Sequence, residues 1–230
     1  MPTSLQFALS NPTAGMEDAF NHWYGGEHLT HGVQTPGVLA GQRFRRAGQT
    51  PWPGGKHDYL MIWEFDDPKY ALEQLAAVKG GDDMPISPAI DMNTVQPPTM
   101  WIRASVRNAG RVATDTAQRK AVVLALVNAV EGEDEQLAGA LLRGGLADLA
   151  DLPGVIAADF LTLADEQIRG NARKYKYALL IELADEAAGL AALKQPLAAI
   201  AHLDSGRWLA ELFRPLGDRL TAAEAAASKS

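Results

Sequence analysis

The chain has 230 residues and a formal net charge of −7, with 47% hydrophobic and 21% charged residues. Such a composition suits a water-soluble globular protein with one large core or two small ones, and its acidic balance argues against duplex nucleic acid as a partner. There is no cysteine, which excludes disulfides, thiolate metal sites and a cysteine nucleophile.

The start, MPTSLQFALSNP, has neither a basic region nor a long apolar run, so no secretory signal is expected. No stretch reaches eighteen apolar residues, so no membrane span is expected either, and the location expected is cytoplasmic. Leu5–Ser10 reads as a strand. A helix follows with Phe20, Trp23 and Tyr24 on one buried face. Pro36-Gly37 opens a second strand, Val38–Phe44, and a third alternates Tyr59, Met61, Trp63 and Phe65. A second helix, 68–78, a long loop over 79–98 of the kind that often forms a lid, and a closing strand at 100–105 complete the first half. Residues 106–118 read as a linker.

Sliding the chain by 117 residues aligns the halves: Asn11 meets Asn128, Gly15 meets Gly132, and Pro36-Gly37-Val38 meets Pro153-Gly154-Val155. One further residue of offset pairs Tyr59 with Tyr177 and Glu64 with Glu182. The second half therefore repeats the order, with strands at 122–127, 155–163, 177–183 and 207–214 and a last helix at 185–202 that Pro196 should kink. Residues 218–230 carry no apolar anchor beyond alanine and a flexible tail is expected there.

The order βαββαβ, taken twice, is an α+β fold of two tandem ferredoxin-like units, 1–105 and 119–217. Each unit leaves one sheet face bare, so the two should pack as an internal pseudo-dimer with a cavity between the sheets. A homodimer of the whole chain is left open.

The string NPTAGMEDAFNHWYGGEHLTHGVQTPGVLAGQRFR, followed by YLMIWEFDD and MPISPAIDM, resembles the EthD-like branch of the dimeric α/β-barrel superfamily over residues 5 to 105. The resemblance implies small cofactor-free catalysts, among them isomerases, dehydratases and quinone-forming monooxygenases, besides haem enzymes and binding modules. In isomerase and dehydratase relatives a histidine near the end of the first helix works as acid or base, and the matching position here is His28. Where many relatives read E-H-L-P-D this chain reads E-H-L-T-H, with His31 near the usual Asp.

The segment NHWYGGEHLTH concentrates the chemistry: on a continuous helix Tyr24, Glu27, His28 and His31 stand at i, i+3, i+4 and i+7, on one face. A carboxylate beside a histidine raises its basicity, and such a group can move a proton at a carbon next to a carbonyl. The repeat supplies a comparison, because Trp23, Tyr24, Glu27, His28 and His31 fall on Ala140, Leu141, Gly144, Gly145 and Asp148. Plainer readings compete: Trp23 and Tyr24 as core, Glu27 as a surface charge and His28 as a helix cap. Gly25-Gly26 weaken or end the helix, or let a ligand approach the backbone. His28-x-x-His31 lacks a third ligand, so no metal is expected, and His202 is the one candidate haem ligand. No glycine-rich phosphate loop and no G-x-S-x-G is present.

The expectation is a cofactor-independent lyase or isomerase for a small, largely apolar carbonyl- or phenol-bearing compound. Its catalytic residues would be His28, Glu27 and Tyr24, with His31, His57, Tyr59, Trp63, Phe7, Met61 and Arg43 around the substrate. The alternatives are a ligand-binding or partner-stabilising protein and a cofactor-free monooxygenase.

Overall fold

A computed structural model describes residues 4–78, 85–95, 103–113, 118–165 and 174–227. The first half runs β1 (Ser4–Ser10), α1 (Glu17–Trp23), a π-turn (Tyr24–His28), α2 (Leu29–Gln34), β2 (Val38–Arg46), β3 (Tyr59–Phe65), α3 (Pro68–Val78), α4 (Met92–Val95) and β4 (Arg103–Ala113). The second half follows with β5 (Ala121–Val127), α5 (Asp134–Ala140), a π-turn (Leu141–Gly145), α6 (Leu146–Ala150), β6 (Val155–Leu163), β7 (Tyr177–Leu183), α7 (Glu186–Ala198) and β8 (Leu209–Pro215). A short β9 (Leu220–Thr221) and α8 (Ala222–Ala227) close the chain.

The fold is mixed α+β around one curled antiparallel sheet in the order β3-β1-β4-β6-β7-β5-β8-β2-β9, and β2 also pairs with β3, so the pairings return on themselves. The halves are stitched by β4 on β6 and by β8 on β2. Alternation then sorts the side chains. Leu5, Phe7 and Leu9 of β1, Leu60 and Ile62 of β3, and Val122, Leu124 and Leu126 of β5 share one cluster inside the curl. Tyr59, Met61 and Trp63 face the other way, under α1 and α2, and Val123, Ala125 and Leu179 do the same under α5 and α7. The space expected as a cavity between the sheets is thus occupied by side chains. It also holds an ionic layer in which Arg111 pairs with Asp159 and, at 3.1 Å, with Glu182, while Arg119 reaches Glu182 at 3.6 Å and Gln42 across from the first half.

Both halves use the same local devices. Asn11 donates to the Lys56 carbonyl and accepts from the Asp58 amide, and Asn128 does the same with Lys174 and Lys176. After each Pro-Gly, the glycine takes a left-handed backbone, Gly37 at φ +87° and Gly154 at +79°. At Gly154 a Cβ would also lie 2.6 Å from the Asp185 carbonyl, so glycine is required twice over.

Three expectations change. Residues 106–113 of the supposed linker continue β4, because their backbone groups find partners on β6; 114–117 lie outside the described residues. The start of the closing strand at 100–102 and the loop at 79–84 and 96–98 also lie outside them. Of the supposed flexible tail, Leu220 pairs with Gly41, and Ala225 is buried against the first half, where Gln34 donates to its carbonyl. An alanine suffices as an anchor when a partner surface is supplied in space. The last helix, expected to run to 202, ends at Ala198, two residues after Pro196, whose ring removes the bond to the carbonyl four residues back and weakens that last turn. The exchange is mutual, since Trp52 of the first half is buried in the second half's core and its Nε1 donates to the Lys194 carbonyl at 3.4 Å.

Trp63 shows how large side chains are accommodated. Its indole lies where a Cβ on Gly32 would come within 2.1 Å and one on Gly41 within 2.8 Å. The second half has Ile181 at this place, with Leu149 and Ala158 where the first has Gly32 and Gly41, all in one cluster, so bulk is redistributed rather than added. Gly32→Ala should therefore destabilise the protein by about 1–3 kcal/mol through overpacking. With Trp63→Leu already present the same change should be neutral or stabilising, because alanine favours a helix over glycine by roughly 1 kcal/mol. Urea denaturation of the four proteins in this cycle measures both effects.

Candidate functional site

The apolar face of α1 places Phe20 and Trp23 against β3, with Tyr24 at the start of the π-turn beside them. The helix does not end at Gly25-Gly26. It widens into the π-turn, where the Leu29 amide donates to the Tyr24 carbonyl, five residues back. This extra residue per turn changes which side chains meet. Trp23 and His28, at i and i+5, would diverge on an α-helix; here their rings lie 4.5 Å apart at 30°. Tyr24 meets His28 edge-on at 4.8 Å, and Trp63 approaches from the sheet at 6.2 Å. His28 is 7% exposed inside this aromatic cage.

Beside the cage lies Arg43 of β2, only 6% exposed. Its Nη1 and Nη2 donate to the backbone and side-chain oxygens of Asn21 at 3.2 and 2.9 Å. Its guanidinium carbon stands 4.7 Å over the Tyr24 ring, with Phe20 at 5.3 Å and Tyr59 at 5.6 Å. Burial pushes the Arg43 pKa down and the two tyrosines work against this, yet a guanidinium stays charged. Gly25 sits above it because a Cβ there would fall 3.2 Å from Nη1. From Asn21 the polar chain continues: its amide donates to Tyr59 Oη at 3.2 Å, Tyr59 donates to Glu17 at 2.5 Å, and Arg45 pairs with Glu17 at 2.7 Å.

The structure brings together Tyr24, His28, Arg43, Tyr59, Met61 and Trp63 in one helix–sheet layer. Glu27 is exposed on the outer side of the π-turn, so the carboxylate expected beside His28 is turned away from it. The register assumed a regular helix, and the widened turn rotates Glu27 out. His31 is half-buried one turn on, with Nδ1 buried and lacking a hydrogen-bond partner among the described residues. His57 is buried just before β3, between backbone groups that Asn11 holds. Phe7 lies on the opposite face of the sheet, inside the curl, and cannot share a wall with Tyr59, Met61 and Trp63. Alternation along β1 alone does not say which parity faces the helices.

Asn21 and Glu17 were missed by reading the sequence. Glu17 had a signal, since it aligns with Asp134, and Tyr177 donates to Asp134 at 2.9 Å just as Tyr59 does to Glu17. Among the described residues no three metal-ligating side chains converge. His202, the candidate haem ligand, takes a left-handed backbone (φ 66°) and directs Nδ1 to Glu133 at 2.8 Å. No helix among the described residues is long and apolar enough to cross a membrane.

At the corresponding place in the second half, Ala140, Leu141 and Gly145 border a cavity of about 420 Å³, and Gly144 breaks the helical backbone.

No protein-family model and no curated protein matches the chain. Among solved structures it is similar to an anthrone oxidase-like protein, at 12% identity and a TM-score of 0.65, over 96% of this chain and 94% of that one. A monooxygenase candidate from Fusobacterium nucleatum aligns at 11% identity and a TM-score of 0.62, over 95% and 94% of the two chains. Another from Lactobacillus acidophilus aligns at 14% identity and 0.56, over 96% of each. At these identities the likeness is one of fold alone.

The tyrosine–carboxylate pairs have a measurable consequence. Burial, then the hydrogen bond to Asp134, pushes the Tyr177 phenol up to about 12, and the Tyr59 phenol is raised for the same kind of reason. An unfolded chain releases a phenolic proton near pH ~10, whereas the native state holds that of Tyr177 until about 12. The stabilisation is therefore complete below pH ~10 and is lost as pH rises through the folded value. Spectroscopic titration of the five tyrosines should show a late phase that Tyr177→Phe diminishes.

Proposed function

We propose that the protein is a cofactor-independent lyase or isomerase acting on a small, largely apolar compound that bears a carbonyl or phenol. His28 moves the proton and Arg43 holds the oxygen on which negative charge develops. The observation that carries this reading is the buried Arg43 guanidinium, whose hydrogen bonds among the described residues go only to neutral Asn21 and whose faces are covered by aromatic rings. A desolvated cation supported only by neutral groups is strongly attractive to an enolate or phenolate. Tyr24 lies between it and His28, 4.7 Å from the guanidinium carbon and 4.8 Å from the imidazole.

In this reaction an imidazole nitrogen of His28 takes a proton from the carbon beside the carbonyl, and the electron pair moves to the oxygen near Arg43. Return of the proton to another carbon completes an isomerisation; its delivery to a departing hydroxyl completes a dehydration. Tyr24 and the polar chain Asn21–Tyr59–Glu17 keep the guanidinium in place. Glu27, on the outer side of the turn, would act only if substrate entry rewound it. His31, His57, Met61 and Trp63 would border the substrate. The second half is a degenerate copy of the first in this reading, the whole chain being a tandem duplication of an EthD-like unit and an internal pseudo-dimer. The repeated Asn11/Asn128 and Tyr59/Tyr177 bonds support that descent. A cytoplasmic location and a small hydrophobic substrate belong to the same proposal.

A second reading is favoured by the names of the structural neighbours, two of them monooxygenase candidates. In it His28 takes the proton of a phenol, and dioxygen from solution converts an activated CH2 to C=O with release of one water. Oxygen uptake separates the readings, because the lyase or isomerase consumes none.

Screening phenols, hydroxyketones and unsaturated lactones by tryptophan fluorescence, to which Trp23 and Trp63 would respond, should yield a ligand and then a substrate. His28→Gln should lower kcat by about 10²–10⁴-fold, the usual worth of a general acid or base, while thermal unfolding shifts little. His28→Ala should instead cost stability, since it leaves the space between Trp23, Tyr24 and Trp63 unfilled, which glutamine still occupies. Normal turnover by the glutamine variant would defeat the assignment. Arg43→Met should weaken binding of anionic ligands far more than of neutral ones.

A further inference from the structure

The two π-turns stand at the same place between helices and sheet, but the space beside them is used differently. In the first half Trp23, just before the turn, stacks on His28 at its end. In the second half those places hold Ala140 and Gly145, and beside them opens the cavity of about 420 Å³. Its walls include Leu141 and Leu149, Pro196 near the end of α7, and Ile200 just beyond it. An indole and an imidazole are missing here and the surrounding elements have not closed the gap. Asp148, exposed at the rim where the first half has His31, is the only charged residue among those lining it.

We infer that this cavity is a second binding site, for a planar aromatic molecule of about indole size that carries no negative charge. The first half indicates the occupant, because there the protein fills the equivalent volume with two stacked aromatic rings of its own. The pocket opens to solvent at Asp148, Ala199 and Ala201, and its apolar walls give a flat ring a place to leave water. The Asp148 carboxylate repels anions and favours a neutral ring or one bearing an ammonium group. The two halves thus select opposite charge: Arg43 draws anions into the first, and Asp148 excludes them from the second. The inference does not depend on the chemistry proposed for His28.

The test titrates the whole protein, with methyl groups labelled for NMR, with indole, tryptamine and indole-3-acetate. Saturable shifts are expected at Leu141, Leu149 and Ile200 for indole and tryptamine, with indole-3-acetate binding at least several-fold more weakly. Ala140→Trp, which restores the first half's side chain, should abolish them. Ala199→Phe, at an exposed lining position, provides an independent block should the first variant disturb folding. Absence of saturable binding by indole and tryptamine, shifts confined to Leu29 and Val33 of the first half, or binding that survives both blocks would each overturn the site. Equal affinity for indole-3-acetate would overturn its charge selectivity.

Discussion

A four-stranded sheet with helices on one side leaves its other face apolar and bare, and burying that face is the constraint on which the rest of this structure depends. Each half contributes strands whose inward residues, such as Phe7, Leu60, Leu124 and Leu180, would otherwise meet water. Pairing β4 with β6 and β8 with β2 curls both sheets into one and leaves those side chains facing each other. The ionic layer of Arg111, Asp159, Glu182 and Arg119 sits within the same interior, and such a layer contributes more to register than to net stability. Segments exchanged between halves, Trp52 in one direction and α8 in the other, tie the outer layers as well.

With the inner face consumed by this closure, the cluster of His28, Tyr24, Arg43 and Trp63 lies in the outer layer between helices and sheet. There the π-turn is the decisive local feature. By inserting one residue it aligns Trp23 with His28, turns Glu27 outward and opens room above Gly25 for the Arg43 guanidinium. Gly32 and Gly41 then admit the Trp63 indole, which closes the cage from below. These are mutually dependent choices: a Cβ at Gly32 or Gly41 would displace the Trp63 indole, and one at Gly25 would press on the Arg43 guanidinium.

The halves share an architecture and differ in what fills it. Fold-bearing features recur, among them the left-handed glycine after proline, the asparagine that holds the entry to the third strand, and the tyrosine bonded to a carboxylate. Arg43 is matched by Phe160, which stacks on Tyr177 at 5.5 Å, so an aromatic contact replaces the cation–π contact. Trp23 and His28 are matched by alanine and glycine beside an open cavity. One half keeps charge and aromatic bulk at the helix–sheet seam; the other keeps apolar packing and a void.

Element order, the strand alternation and the Pro-Gly openings were legible in the residues themselves, because periodicity and backbone preference act over a few positions. The contrast between His28 and Gly145 was legible for the same reason, as a difference between aligned short segments. What the sequence could not settle was which parity of β1 faces the helices, and Phe7 accordingly belongs to the interior and not to the site. Nor does a glycine pair distinguish a helix end from a widened turn, and the turn forms in both halves although only the first carries Trp63 and Arg43 beneath it. The course of residues 106–113 and 220–227 likewise follows from partners far away in the chain. Local chemistry by itself determined the parts and their order. Only the tertiary structure decided how the sheet closes, which side chains meet beneath the turn, and where space remains, because each depends on contacts between segments that no short window of sequence contains.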